Sequence, residues 1–172
     1  NSHGSINSNY GQYIFSSKDG ISQFDNVLAT LLRDKDSRRA SMTILDRGHL
    51  ISETKDVPCT YALNFRIREN VLNMSVHMRS QDAIFGMGND APAFSFIHEM
   101  VLNSLREFYP TLVYGEYFHI ADSFHVYERH FDMIQSITGL ALDDVSYSGV
   151  VDPTYDQIAC PLINGPDEVF YL

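Results

Sequence analysis

The chain has 172 residues, so the length predicts one domain, and 44 % hydrophobic against 20 % charged residues is ordinary globular composition. A formal net charge of −10 repels a nucleic-acid backbone, which excludes polymeric DNA or RNA as an expected partner and leaves room for a small phosphorylated ligand held by a few Arg side chains. Cys59 and Cys160 form neither a C-x-x-C pair nor a disulfide framework, and no run approaches the roughly 18 apolar residues of a membrane span, so a cytoplasmic protein without membrane association is expected.

Ser22 followed by Asp25 has the form of a capping box, and Phe24, Val27, Leu28, Leu31 and Leu32 then recur at helical spacing, which predicts a helix over 22–33. Ala40 to Leu45 reads as a strand. From Tyr61 to Ile67, apolar Tyr61, Leu63, Phe65 and Ile67 alternate with Ala62, Asn64 and Arg66; Glu69-Asn70 reads as a turn, and Leu72, Met74, Val76 and Met78 alternate on a return strand. That pair reads as a hairpin. Asp90-Ala91-Pro92 predicts a helix start with Asp90 as N-cap, running on to a stop before Pro110. Leu112 to Ile120 reads as a strand and Val126 to Ile137 as a helix closed by Gly139, while the pattern from Leu140 onward is weak. Hairpin strands mixed with long helices give an α+β class.

Several residues could carry chemistry. Cys59, in Val57-Pro58-Cys59-Thr60, stands just before a strand, where a thiolate beside Arg residues is a strong nucleophile; the plain alternative is a small buried hydrophobe. Arg38 and Arg39, and Arg79 with Ser80, are candidate phosphate sites, because guanidinium groups bind phosphate in a bidentate fashion; solvated charge or ion pairing to the many acids is the alternative. Asp90 is either a helix cap or a carboxylate facing a nucleobase edge. His119, His125 and His130 match no zinc template, and His125 and His130, five apart on the predicted helix, share no face, so no metal is expected. His125 and Tyr127 can instead offer hydrogen bonds to a sugar hydroxyl, or serve as packing side chains with satisfied tips. No P-loop, dinucleotide fingerprint or nucleophile elbow occurs.

In chain order, Asn9-Tyr10-Gly11, Asp36-Ser37-Arg38-Arg39, Pro58-Cys59, Arg79-Ser80-Gln81-Asp82 with Phe85-Gly86, and His125-Val126-Tyr127 with His130 together resemble the thymidylate synthase superfamily. Within it, Ile6 to Gly11, Cys59-Thr60, Asn89-Asp90 and His125 to Phe131 look like the phage deoxycytidylate hydroxymethylase branch. Thr60 stands where thymidylate synthases usually carry His, and Asp90 where they place an Asn that pairs with the uracil edge. Cytosine offers an acceptor at N3 and a donor at N4, so its partner must change, and Asp90 fits that change.

The resemblance implies a mixed β-sheet with long helices packed on it and a dimer formed through the sheet. It implies a Cys59 thiolate adduct at C6 of a pyrimidine nucleotide, dCMP favoured, and transfer of a one-carbon unit from 5,10-methylenetetrahydrofolate to C5, giving 5-hydroxymethyl-dCMP. Thymidylate synthase or hydroxymethylase chemistry on dUMP is one alternative, and a silent nucleotide-binding relative is another. By the same resemblance Tyr10 joins the hydrogen bonds near C5, Arg79 and Ser80 hold the phosphate, and Arg38 and Arg39 reach the site of the partner in a homodimer. His125 and Tyr127 bind the deoxyribose, and Asp82 lies near the folate. The likeness spans about residues 4–131; it implies that the family's Glu-bearing segment before the Tyr-Gly motif is absent from this chain and that 140–172 is a poorly matched tail.

Overall fold

A computed structural model describes residues 8–17 and 20–138. The elements in order are α1 (Tyr10–Phe15), α2 (Gln23–Arg33), β1 (Ser41–Thr43), α3 (Arg47–Ile51), β2 (Thr60–Arg68), β3 (Val71–Met78), β4 (Gln81–Asp82), α4 (Phe85–Arg106), β5 (Val113–Ala121), β6 (Phe124–His125), a 3-10 turn (Glu128–His130) and α5 (Phe131–Thr138). The described residues up to His125 form one compact unit and those from Val126 a second. The weakly patterned segment from Leu140 and the expected Gly139 stop lie outside the described residues.

In the first unit a four-stranded sheet has the order β1-β2-β3-β5, and β4 pairs with β6 in a separate two-stranded ribbon. β1, β2 and β3 are antiparallel neighbours, whereas β5 runs parallel to β3, as a strand must when it returns through a long crossover helix. The sheet is therefore mixed, as the α+β reading requires. One face carries Leu63, Phe65, Ile67, Leu72, Met74, Val76 and Met78, all buried. Against it pack Val27 and Leu31 of α2 and Phe94, Ile97, Val101 and Leu105 of α4, also buried. At roughly 1.5–3 kcal/mol for each large side chain fully removed from water, this layer supplies the main driving force for folding.

The local signals explain the elements. Ser22 Oγ accepts from Asp25 N–H at 3.0 Å while the Asp25 carboxylate accepts from the Ser22 backbone N–H at 3.4 Å, so the capping box is present and α2 starts where the sequence places it. The hairpin turn is Glu69-Asn70, with φ of 49° and 64° respectively. Both residues sit in the left-handed region that two-residue hairpins require, without the glycine that would relieve it. Asn70 is anchored from outside: Lys35 donates to its side-chain oxygen at 2.8 Å, its amide group donates to Thr111, and its carbonyl accepts from Val113 N–H at 3.0 Å.

Two expectations are corrected. Asp90 does not cap α4, because that helix begins at Phe85, and Asp90 and Pro92 lie inside it. Asp82 does the capping: its carboxylate accepts from the N–H groups of Ile84 at 3.2 Å, Phe85 at 3.2 Å and Gly86 at 3.3 Å, so the helix starts more than a turn early and takes up Gly86 to Asn89. Asn89 Nδ2 also donates to Phe85 O at 2.7 Å, which supports a turn poor in helix formers. Nor is His125 helical: it ends β6, where Ala83 N–H donates to its carbonyl at 2.8 Å.

Gly115 sits at the irregularity in the β3–β5 pairing between Leu72 and Met74, and a Cβ there would lie 2.5 Å from the Leu72 carbonyl oxygen. Gly115→Ala must push two paired strands apart, at a cost of about 1–3 kcal/mol. The expected readout is a lower urea midpoint with an unchanged slope; an unchanged midpoint contradicts this packing.

Candidate active site

The hairpin brings the start of β2 beside the end of β3. Thr60 pairs with Met78, and Arg79 N–H donates to the Cys59 carbonyl at 2.8 Å. The Arg79 guanidinium then closes over the cysteine loop, with Nε donating to Pro58 O at 3.0 Å and Nη2 to Val57 O at 2.9 Å. Cys59 is a free, half-buried thiol beside this cation.

Tyr10, in the first turn of α1, reaches the same loop. Its hydroxyl oxygen accepts from Cys59 N–H at 3.0 Å and from Thr60 N–H at 3.3 Å. Both lone pairs are thereby used, so the hydroxyl proton points elsewhere. Burial pushes the Tyr10 phenol above its ordinary range, opposed by these hydrogen bonds and reinforced by the negative charges of Cys59 and Asp90, so that proton stays on. The Tyr10 ring stacks on Phe94, with centroids 6.1 Å apart and planes 14° apart.

Phe94 lies one turn beyond Asp90 on α4. Asp90 is half-buried, and its Oδ2 accepts from Gln81 Nε2 at 3.0 Å. Burial raises its carboxyl above the usual Asp range, opposed by the Gln81 hydrogen bond and the nearby His119. His119 and Tyr117 project from β5 toward this group. The Tyr117 hydroxyl and His119 Nδ1 are 2.5 Å apart, and His119 contacts the Phe94 ring at a 6.5 Å centroid distance. Burial lowers the His119 pKa, opposed by Asp90, and raises that of the Tyr117 phenol, reinforced by Asp90. Buried Gln81 Oε1 and His119 Nε2 have no hydrogen-bond partner among the described residues, and unsatisfied buried polar atoms of this kind mark a place built for something besides stability.

Of the residues singled out by sequence, Cys59, Tyr10, Arg79 and Asp90 thus come together. Ser80 follows Arg79 between β3 and β4, and Asp82 and His125 pair across the β4–β6 ribbon beside Gln81. Arg38 and Arg39 do not join them. They are exposed at the α2–β1 turn, where they line a cavity of about 640 Å³ with Arg33, Asp34 and Asp36. Ala40 O accepts from Phe65 N–H, whereas Leu45 N–H donates to Thr60 O, so Arg39 and Cys59 stand at opposite ends of the β1–β2 pair, roughly 20 Å apart. Tyr127 belongs to the second unit, where the Arg129 guanidinium lies 4.3 Å from its ring centroid. Among the described residues no group of three or more His, Cys, Asp or Glu could hold a metal ion.

Gln81 and Tyr117 were not singled out by sequence, and His119 was weighed only as a metal ligand. Gln81 had one signal: it lies between two motif residues and is a polar side chain whose strand position turns inward.

Comparison with known proteins agrees with the motif order. Residues 1–140 match the family model described as thymidylate synthase. A deoxycytidylate 5-hydroxymethyltransferase of Enterobacteria phage T6 is 35 % identical over 139 residues, covering 77 % of this chain and 56 % of that protein. A deoxyuridylate hydroxymethyltransferase of Pseudomonas phage M6 is 29 % identical over 162 residues, covering 92 % of this chain and 43 % of the relative. A putative thymidylate synthase of Methanocaldococcus jannaschii is 31 % identical over 120 residues, covering 67 % and 52 %. The chain spans about half the length of the relatives it matches. It belongs to the thymidylate synthase family.

Two substitutions test the geometry. Tyr10→Phe leaves two backbone N–H groups without their acceptor and should destabilise the protein by about 1–3 kcal/mol in urea unfolding; a loss below a few tenths contradicts the double acceptance. The Asp90 carboxyl has a folded pKa above its unfolded one, so the native state holds the proton more tightly and stability falls as pH rises from the ordinary Asp value through the raised one. Asp90→Asn should therefore stabilise the protein at neutral pH and remove that part of the slope. Equal slopes in parent and variant contradict the burial argument.

Proposed function

We propose that this site transfers a one-carbon unit to C5 of a pyrimidine nucleoside monophosphate, with dCMP as substrate and 5-hydroxymethyl-dCMP as product. The observation that carries the reading is the juxtaposition of a thiol beside Arg79 with a half-buried carboxylate, Asp90, across the Tyr10–Phe94 stack. Cys59 Sγ adds to C6, breaking the C5=C6 double bond and placing electron density on C5. 5,10-Methylenetetrahydrofolate supplies the one-carbon unit that C5 takes up. Loss of the C5 proton and of the carrier leaves an exocyclic methylene; water adds to it, and the thiolate leaves C6. Tyr10, with both lone pairs engaged, offers its proton to the hydrogen bonds around C5.

Arg79 and Ser80 hold the phosphate, and His125 and Tyr127 the deoxyribose hydroxyl. The carrier's planar ring system fits the start of α4, where the 56 % exposed Phe85 offers an aromatic face next to the Asp82 carboxylate. Arg38 and Arg39, too far along the sheet to serve their own Cys59, act in the site of a second copy. The sheet face opposite the core supports such a homodimer: Asn64, Ser75 and His77 line up there with Phe118 and Ile120 of β5, which are 44 % and 43 % exposed. No helix among the described residues is long and apolar enough to cross a membrane.

A second reading takes dUMP, because the Pseudomonas phage relative that covers most of this chain is named for deoxyuridylate. Asp90 weighs against it. A carboxylate oxygen accepts from the cytosine amine and repels the uracil O4. Tritium release from 5-labelled dCMP and dUMP, with the folate present, separates the two. The expected result is release from dCMP, abolished in Cys59→Ala with dCMP binding retained, and a preference shifted toward dUMP by at least about 100-fold in Asp90→Asn. Release from dUMP alone overturns the base assignment, and release that survives Cys59→Ala overturns the mechanism.

A further inference from the structure

Gln81 is 1 % exposed, the one buried residue of the two-stranded β4–β6 ribbon. A glutamine so buried must be held there by its partners, because an amide without them costs about 1–3 kcal/mol to bury. Only half of it is satisfied: Nε2 donates to Asp90 Oδ2 at 3.0 Å, and Oε1 has no partner among the described residues. The backbone makes room for this arrangement. A Cβ on Gly86 would lie 2.9 Å from Gln81 Nε2 and 3.1 Å from Asp82 Cβ, so any larger residue there would displace the carboxamide. The contact spans nine residues of chain, from the β4 ribbon to the interior of α4.

We propose that Gln81 is a positioning residue for base selection: its carboxamide pins Asp90 through Oδ2 and leaves Oδ1 as the acceptor for the exocyclic amine of an aminopyrimidine nucleotide. This rests on the reading of Asp90 given above. A carboxylate free to rotate presents either oxygen at any angle, and when protonated it donates to the O4 of uracil as readily as it accepts from an amine. A carboxylate that accepts from an N–H donor is favoured as the ion and held in one orientation, so it discriminates between the two bases. The groups that face Asp90 are Gln81 of β4, Tyr10 of α1, and Tyr117 and His119 of β5. Of these, Gln81 alone donates a hydrogen bond to it among the described residues.

The test uses the full chain with Gln81→Met, which keeps length and volume but loses the donor, and Gln81→Glu, which keeps shape. Binding of dCMP and of dUMP is measured by calorimetry, and kcat and KM by tritium release, from acid to mildly alkaline pH. In Gln81→Met the dCMP-to-dUMP preference should fall about tenfold or more, and the acid limb of the dCMP profile should move to higher pH, because the main interaction that opposes the burial of the charged carboxylate is then lost and only His119 remains. In Gln81→Glu the preference should collapse at neutral pH, where two carboxylates face each other, and recover at acid pH, where one shared proton restores a donor between them. A purely structural Gln81 would lower the melting temperature and weaken both nucleotides alike, with the ratio and the acid limb unmoved. That result overturns the proposal, and if Gln81→Met does not fold, Gln81→Glu decides alone. If the parent binds neither nucleotide, or Asp90→Asn leaves its preference unchanged, the reading of Asp90 falls and this inference with it. If the parent prefers dCMP through Asp90 while the Gln81 variants match it, only this inference falls.

Discussion

The register of the β2–β3 hairpin is the constraint on which the site depends. Continued without interruption from the Glu69-Asn70 turn, the pairing that matches Arg68 with Val71 and Ala62 with His77 would set Thr60 opposite Arg79 and Cys59 opposite Ser80. The irregularity between Thr60 and Ala62 shifts it by one, so Thr60 meets Met78 and the Cys59 carbonyl accepts from Arg79 N–H. A bulge re-aims the residues beyond it while keeping the hairpin's core face in phase. Here it sets the guanidinium of Arg79 over the two carbonyls that precede the thiol, and it turns the amides of Cys59 and Thr60 to the Tyr10 hydroxyl.

Around that loop the protein accepts a polar interior that packing alone would not choose. Asp90, Gln81, His119 and Tyr117 lie against Phe94 and the end of the sheet, and burial shifts the three titratable members toward their neutral forms. An apolar replacement of similar volume would fold as well or better. Under the function proposed above, the group is a surface that becomes satisfied when a base with its own donors and acceptors enters. On that reading folding stability is exchanged for recognition, and the layer of Leu63, Phe65, Met74, Val76 and Leu105 beneath supplies the stability that is given up.

Much of the architecture was legible because it rests on local rules. The Ser22–Asp25 box, the alternation from Tyr61 to Met78 and the apolar stripe of α4 each depend on neighbours within a turn or a strand. The misreadings have a physical cause of the same kind. Asp90 before Pro92 looks like a helix start, but Asp82 had already capped the helix three residues before Phe85, and a helix once nucleated runs through weak formers. His125 was drawn into the helix that follows it, because nothing nearby announces that Gln81-Asp82 will pair with Phe124-His125. The same long-range closure hid Gln81, Tyr117 and His119. Their role depends on which residues the crossover brings to Asp90, a fact no window of sequence contains. Cys59, Tyr10, Arg79 and Asp90 were visible as a series of motifs, and the structure adds what binds them into one network.

The central claim is that Cys59 attacks the ring of a cytosine nucleotide read by Asp90. Its most direct test replaces the C5 hydrogen of dCMP with fluorine, which cannot leave as a cation, so the covalent adduct accumulates once the one-carbon unit is attached. The protein is incubated with 5-fluoro-dCMP and methylenetetrahydrofolate, digested and measured by mass spectrometry. The account predicts added mass of nucleotide and folate on the peptide that contains Cys59, in preference to the adduct from 5-fluoro-dUMP, with the order reversed in Asp90→Asn. An unmodified Cys59 peptide, in protein that binds dCMP, would contradict it.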